Sequence, residues 1–184
     1  ICQSSVYQLD SVPNEHNARD KQNYSRYYPK RLNAEVLYDA IGQMTGVPTA
    51  FPGMPEGTRA VQLPDSNESN YFLTVFGKPQ GDSACECERS GEASLAQSLY
   101  LLNSSEVQGK LSAGTGRAAK LAQDAARSDD EKIRDLYLAV FSREPSKEDL
   151  ELALGHLKKV PEKQRAYEDI VWAMINTKEF LFNH

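Results

Sequence analysis

Apolar residues recur at intervals of three and four in residues 33–45 and again after Gly91, and the rhythm lapses between residues 48 and 91. Val36, Leu37, Ala40, Ile41 and Met44 fall on one face of a helix predicted over 33–45. Asn33 stands at its N-cap, Gly46 is placed to end it in a left-handed conformation, and Pro48 prevents its resumption. After Gly91 every signal is helical. Leu95, Leu99 and Leu102 line one face of residues 92–103, and Ser105 with Gln108 fits a capping box for a short helix ending near Ser112. Gly114 and Gly116 break the chain. A small-residue helix over 117–126 turns Ala118, Leu121, Ala122 and Ala125 inward. Ser128 with Glu131 forms another capping box, ahead of the stripe Ile133, Leu136, Tyr137, Val140 and Phe141. Ser146 opens the next helix, with Asp149 in its first turn and Leu150, Ala153, Leu154 and Leu157 facing inward. Pro161 fits the first turn of the last long helix, whose core face is Tyr167, Ile170, Val171, Met174 and Ile175, with Trp172 alongside. Asn176 and Thr177 recap the chain before the apolar tail at 180–182.

Residues 48–91 have a different character. Pro48, Pro52, Pro55, Pro64 and Pro79 punctuate them, with Gly53, Gly57, Gly77 and Gly81 between. Two runs, 59–63 and 71–76, read as strands that would pair into a small ribbon lying on a helical surface. The aromatic content predicts an ordered segment draped over the helices rather than disorder. The fold class expected is therefore mainly α: packed helical hairpins forming a bundle, with a long irregular segment holding a short two-stranded ribbon. One domain over 1–184 is expected, with a helical start at 1–47, the draped region at 48–91 and helical hairpins at 92–184.

Composition narrows the function classes. The chain has 184 residues, of which 40% are hydrophobic and 26% charged, values ordinary for a globular domain with a buried core. A formal net charge of -5 argues against nucleic acid or an anionic membrane as the main partner. No apolar run approaches the roughly 20 residues needed to span a bilayer. The chain opens on Ile1 without an initiator Met or signal peptide, which reads as a fragment of a longer protein.

Candidate chemistry clusters in two places. In residues 19–31, Arg19, Lys21, Arg26, Lys30 and Arg31 interleave with Tyr24, Tyr27 and Tyr28. Such a mixture can stack bases or sugars while neutralising phosphate. The plainer alternative is a solvated segment whose tyrosines pack on the core. Asp10, Glu15, Asp20 and Glu35 dilute the basic charge, so nucleic acid is not the expected partner. The second cluster is Cys85-Glu-Cys87 with Glu88 and Arg89. In an extended backbone both sulfurs would point the same way, which suits a soft metal. A structural zinc site needs four ligands, however, and Cys2, His16, His156 and His184 stand at no characteristic spacing, so no metal is expected. Three cysteines leave one disulfide with a free thiol, or three thiols.

No nucleophile elbow or Ser, His and Asp arrangement is visible, and Gly114-Thr-Gly-Arg117 lacks the ending of a phosphate-binding loop. Without Cys-x-x-Cys-His, the chain attaches no c-type haem itself. Two readings follow. In one, the chain is a non-catalytic module that docks upstream domains or a partner protein through the draped segment. In the other it contributes an active or metal/redox site of a redox or polysaccharide-processing protein, with Arg59, Cys85, Cys87, Glu88 and Arg89 converging on one concavity with Asn14, Arg19, Asp20 and Tyr24.

Several stretches together resemble a known family. They are Tyr7-Gln-Leu, Pro13-Asn-Glu, Asn17-Ala-Arg-Asp20, Arg31-Leu-Asn-Ala-Glu-Val-Leu-Tyr-Asp-Ala-Ile41, Phe51-Pro-Gly-Met-Pro-Glu-Gly-Thr-Arg-Ala60, Cys85-Glu-Cys-Glu-Arg-Ser90, Leu136-Tyr-Leu with Ser142-Arg-Glu-Pro145, and the ending Asn176-Thr-Lys-Glu-Phe-Leu-Phe-Asn-His184. This set resembles the C-terminal domain of unknown function 1553, abundant in planctomycetes and their relatives. The resemblance implies a large exported protein, periplasmic or extracellular, often with a cytochrome c-like haem domain upstream. An oxidising compartment would favour a disulfide from Cys2 to Cys85 or Cys87. The resemblance supplies no catalytic residues.

Overall fold

The computed structural model describes residues 1–64, 70–79 and 94–183. Its elements run β1 (Lys30–Arg31), α1 (Ala34–Thr45), a 3-10 turn at Ala60–Gln62, α2 (Tyr71–Val75), α3 (Leu95–Asn103), α4 (Ser105–Leu111), α5 (Arg117–Gln123), α6 (Asp129–Phe141), α7 (Lys147–Lys159), α8 (Lys163–Ile175), α9 (Lys178–Leu181) and β2 (Phe182–Asn183). The chain is mainly helical, as its periodicity predicts. No helix among the described residues is long and apolar enough to cross a membrane.

Two helices organise the packing. The first, α8, packs against α1, α4, α5, α7 and α9, burying Ala166, Tyr167, Ile170, Val171, Met174 and Ile175. All five residues of its expected core face are thus inside. The second, α1, buries Leu37, Tyr38, Ile41 and Met44 against α2, α4 and α5. Its Val36, expected inward, is exposed. Gly46 ends α1 at φ +70°, where a side chain would be strained. The bend before α5 comes close to that end: a Cβ on Gly116 would meet the Thr45 carbonyl at 3.2 Å and the Ala113 carbonyl at 3.0 Å.

Local hydroxyl signals set several helix starts. The side chains of Ser128 and Ser146 accept from the backbone N–H of Glu131 and Asp149, and both capping boxes close. Thr177 likewise accepts from Phe180 N–H and starts α9. The short helix before Ser112 is capped one residue earlier than expected, by Ser104, whose hydroxyl accepts from Val107 N–H. The helix predicted over 117–126 stops at Gln123, so Ala125 is exposed.

The ribbon lies elsewhere than expected. Of the two predicted strands, 59–63 forms the 3-10 turn and 71–76 forms α2. Asp39 of α1 explains the first: its carboxylate accepts from Ala60 N–H at 2.7 Å and Val61 N–H at 3.2 Å, tethering the turn to the helix. Asn70 explains the second by capping α2 through Leu73 N–H. Phe72, Leu73 and Phe76 then go inside, with the Phe72 and Phe76 rings stacked at 4.3 Å. Tertiary packing here overrides β propensity. The two-stranded ribbon that does form is antiparallel and pairs Lys30 with Asn183 and Arg31 with Phe182. It clips the N-terminal arm, residues 1–29, to the far end of the chain.

Candidate functional site

The arm owes its shape to side chains that imitate backbone. Asn14 Oδ1 accepts from the N–H groups of His16 (2.9 Å) and Asn17 (3.0 Å), and Asn17 Oδ1 accepts from Asn14 N–H at 2.7 Å. Asn17 also reaches forward and donates to the Ser25 carbonyl at 3.3 Å. Asp20 is the hub of the next loop. Its carboxylate accepts from the N–H groups of Gln22, Asn23 and Ser25 at 3.0, 2.9 and 3.1 Å, and also from the Ser25 hydroxyl. The Ser25 hydroxyl first, then these backbone donors, hold the Asp20 carboxyl far below the usual carboxylate range. Inside that loop Tyr24 sits at φ +53°, a left-handed conformation unusual for a residue with a large side chain. Its N–H donates to the Tyr28 hydroxyl at 3.2 Å, and the two rings lie 5.6 Å apart.

That arrangement opens a cleft of about 600 Å³ whose walls include Tyr7, Tyr24, Tyr27, Tyr28, Arg26 and Lys30. The Arg26 guanidinium lies 5.0 Å from the Tyr28 ring centroid, a cation–π contact. It also donates to the Ser11 carbonyl at 3.3 Å. Tyr7 and Tyr24 are 61% and 66% exposed, so two of the four phenol rings present much of their surface to solvent. Of the sequence-predicted secondary residues, Asn14 and Asp20 build this loop system, Tyr24 lines the cleft, and Arg19 is exposed on the turn between them.

The primary candidates fare differently. Cys85, Cys87, Glu88 and Arg89 lie outside the described residues. Cys2 is exposed and forms no disulfide with a described residue. Arg59 is exposed and begins the 3-10 turn, its N–H donating to Gln62 Oε1 at 3.0 Å; it does not line the tyrosine cleft. Among the described residues, no group of three or more His, Cys, Asp or Glu is placed to hold a metal.

Two further features went unread in the sequence. The first is a polar knot where α1, α2, α3 and α4 meet. Glu106 accepts from the Tyr38 hydroxyl and from the Tyr100 hydroxyl at 3.3 Å, and Asn70 Nδ2 donates to the Tyr38 oxygen at 3.1 Å. Nearby, buried Lys110 donates to the Val47 carbonyl (3.0 Å) and the Thr49 hydroxyl (2.7 Å), and burial lowers its pKa. The second is a groove of about 570 Å³ along α6, α7 and α8, with Tyr137, Phe141, Leu152 and Trp172 on its walls. His156 Nε2 lies 3.1 Å from Asp169 Oδ2 at this groove.

The leucine face of α3 is turned outward. Leu95, Leu99 and Leu102, which share one face of the helix as their spacing predicts, are 76%, 49% and 44% exposed. The buried residues of this helix are Gln97 and Leu101. Gln97 is held in by its own bonds: its side chain accepts from Ser94 N–H at 3.1 Å and donates to the Val75 carbonyl at 3.1 Å. A satisfied amide thus takes the inward place and turns the leucines out. Beside the stripe, Phe76, Leu101, Leu102, Leu181 and Phe182 line a depression of about 240 Å³.

No curated protein and no solved structure matches the chain. The family model of PSD1, described as a protein of unknown function (DUF1553), matches residues 1–157. A match over so much of the length places the sequence: this chain belongs to the PSD1 (DUF1553) family.

Proposed function

We propose that the chain is a non-catalytic docking module of a longer exported bacterial polypeptide, and that α3 is its contact helix. The observation that carries this reading is the outward leucine stripe. Leu95, Leu99 and Leu102 follow the i, i+4, i+7 spacing that a second amphipathic helix reads as one seam. The helix carries no charged side chain in a chain that is 26% charged, so its complement is an uncharged apolar stripe. The adjoining depression offers a hole for one projecting side chain.

Among the described residues of the draped segment, Phe51, Ala60, Phe72, Leu73 and Phe76 serve the core, so this reading places the contact on α3. The partner helix belongs to the domains upstream in the same polypeptide, where a c-type haem is also expected from the family context. Fully burying one leucine contributes about 1.5–3 kcal/mol. Truncating three that are partly exposed when free should therefore weaken docking on the order of 100-fold.

The test is to express the upstream region and the 184-residue chain as separate polypeptides and measure their association by sedimentation. Association that falls at least 100-fold in L95S/L99S/L102S, with an unchanged melting temperature, supports the reading. No association, or association indifferent to the triple substitution, contradicts it. Self-association of the chain through α3 would assign the face to a second copy instead.

A further inference from the structure

The tyrosine cleft of the arm stands apart from the α3 face, and the docking reading does not use it. Four phenol rings, one guanidinium and one ammonium surround a space of about 600 Å³, well within the range of small-molecule sites. The loop that presents Tyr24 is held by the Asp20 carboxylate in a left-handed backbone conformation. Such a conformation persists only where its surroundings over-determine it, and such outliers gather at ligand clamps. The rings are therefore presented before any ligand arrives, which reduces the ordering cost of binding.

The wall chemistry names a ligand class. Phenol faces pack against the C–H faces of pyranose rings, and phenol hydroxyls can exchange hydrogen bonds with sugar hydroxyls. Ser4 and Asn183 add further hydrogen-bonding groups at the wall. Arg26 and Lys30 supply positive charge in a chain whose net charge is -5. The overall negative charge disfavours a long nucleic-acid tract, which is held mainly through many phosphate contacts. Two cations at one cleft suit a single acid group on a sugar. We propose that this cleft binds an acidic saccharide, a pyranose unit carrying a carboxylate or a sulfate, with Tyr7 and Tyr24 as stacking platforms and Arg26 and Lys30 as the anion contacts.

Titration calorimetry on the chain tests it with four probes: digalacturonate, its dimethyl ester, a sulfated galactose disaccharide and a mononucleotide. The proposal expects at least one acidic disaccharide to bind at millimolar concentration or below. It expects the ester to bind at least about tenfold more weakly than digalacturonate if the carboxylate is the recognised acid. R26Q should lower affinity for the acidic sugar by about tenfold. Y7S, at an exposed position, should weaken binding severalfold without moving the melting temperature, so folding and recognition are read separately. Failure of both acidic disaccharides to bind at 10 mM, on the order of the weakest affinity worth calling a site, would overturn the proposal. So would tighter binding of the mononucleotide, or inorganic sulfate binding as tightly as the sulfated sugar.

Discussion

From Ser128 to Leu181 the chain specifies its helices locally, while from Ile1 to Pro29 it builds no helix or strand and relies on side chains that bond to backbone. In the first region, Ser128 and Ser146 each close a capping box, Thr177 caps α9, and the apolar stripes behind them go into one core. In the second, Asn14, Asn17 and Asp20 fold the arm into turns, and the short β1–β2 ribbon is its strand pairing to the body. The helical region spends its side chains on stability. The arm leaves tyrosines and cations facing a cleft. In the proposed reading, recognition belongs to the arm and to α3, and stability to the helices behind them.

The largest expected effect tests whether the irregular region between them belongs to the core. Phe72 is buried and lies 4.7 Å from the Tyr38 ring and 5.6 Å from the Tyr100 ring. F72A should cost about 3–5 kcal/mol in denaturant unfolding. A cost below about 1 kcal/mol would make α2 peripheral and break the division drawn here.

The polar knot comes next. Burial, and then the contact with Glu106, push the Tyr38 hydroxyl up to about 12 from an ordinary value of 10.0. The fold thus favours the neutral phenol. Its contribution is complete below pH 10 and is lost as pH rises through about 12, so stability should fall across that window. Y38F removes this dependence and leaves Glu106 short of a partner, at a cost of about 1–3 kcal/mol near neutrality. A stability profile between pH 9 and 12 that is identical in Y38F would contradict this account.

These two sites also show what the sequence made legible. Capping and periodicity are local, and residues 128–181 could be read closely from them. Phe72 and Tyr38 depend on partners far along the chain. Asp39 holds the turn at Ala60, and Glu106 of α4 meets Tyr38 of α1; neither pairing leaves a periodic trace. The leucine spacing of α3 marked a face without saying which way it turns. Period alone cannot tell which face is buried when Gln97 finds bonds in the interior. Interleaved tyrosines and cations in 19–31 did mark the arm as a candidate surface, but the cleft needed Asp20 to fold it. The cysteine pair, the other candidate, lies outside the described residues.

A smaller effect is expected at the caps. S146A should destabilise α7 by about 1 kcal/mol, read as a modest drop in melting temperature. The smallest global effect belongs to the arm. D20A should leave the melting temperature unchanged while releasing Tyr24 from its left-handed loop, visible as a shift of the Tyr24 ring and amide resonances. A melting temperature that falls as far as in S146A would mean the arm is structural after all.

The docking claim is tested most directly by amide hydrogen exchange across Leu95–Asn103 in the longer polypeptide. The account predicts protection of these amides that is lost in L95S/L99S/L102S, with matching loss on one upstream helix and no change in α8. Exchange in α3 that is equally fast with and without the substitutions would contradict it.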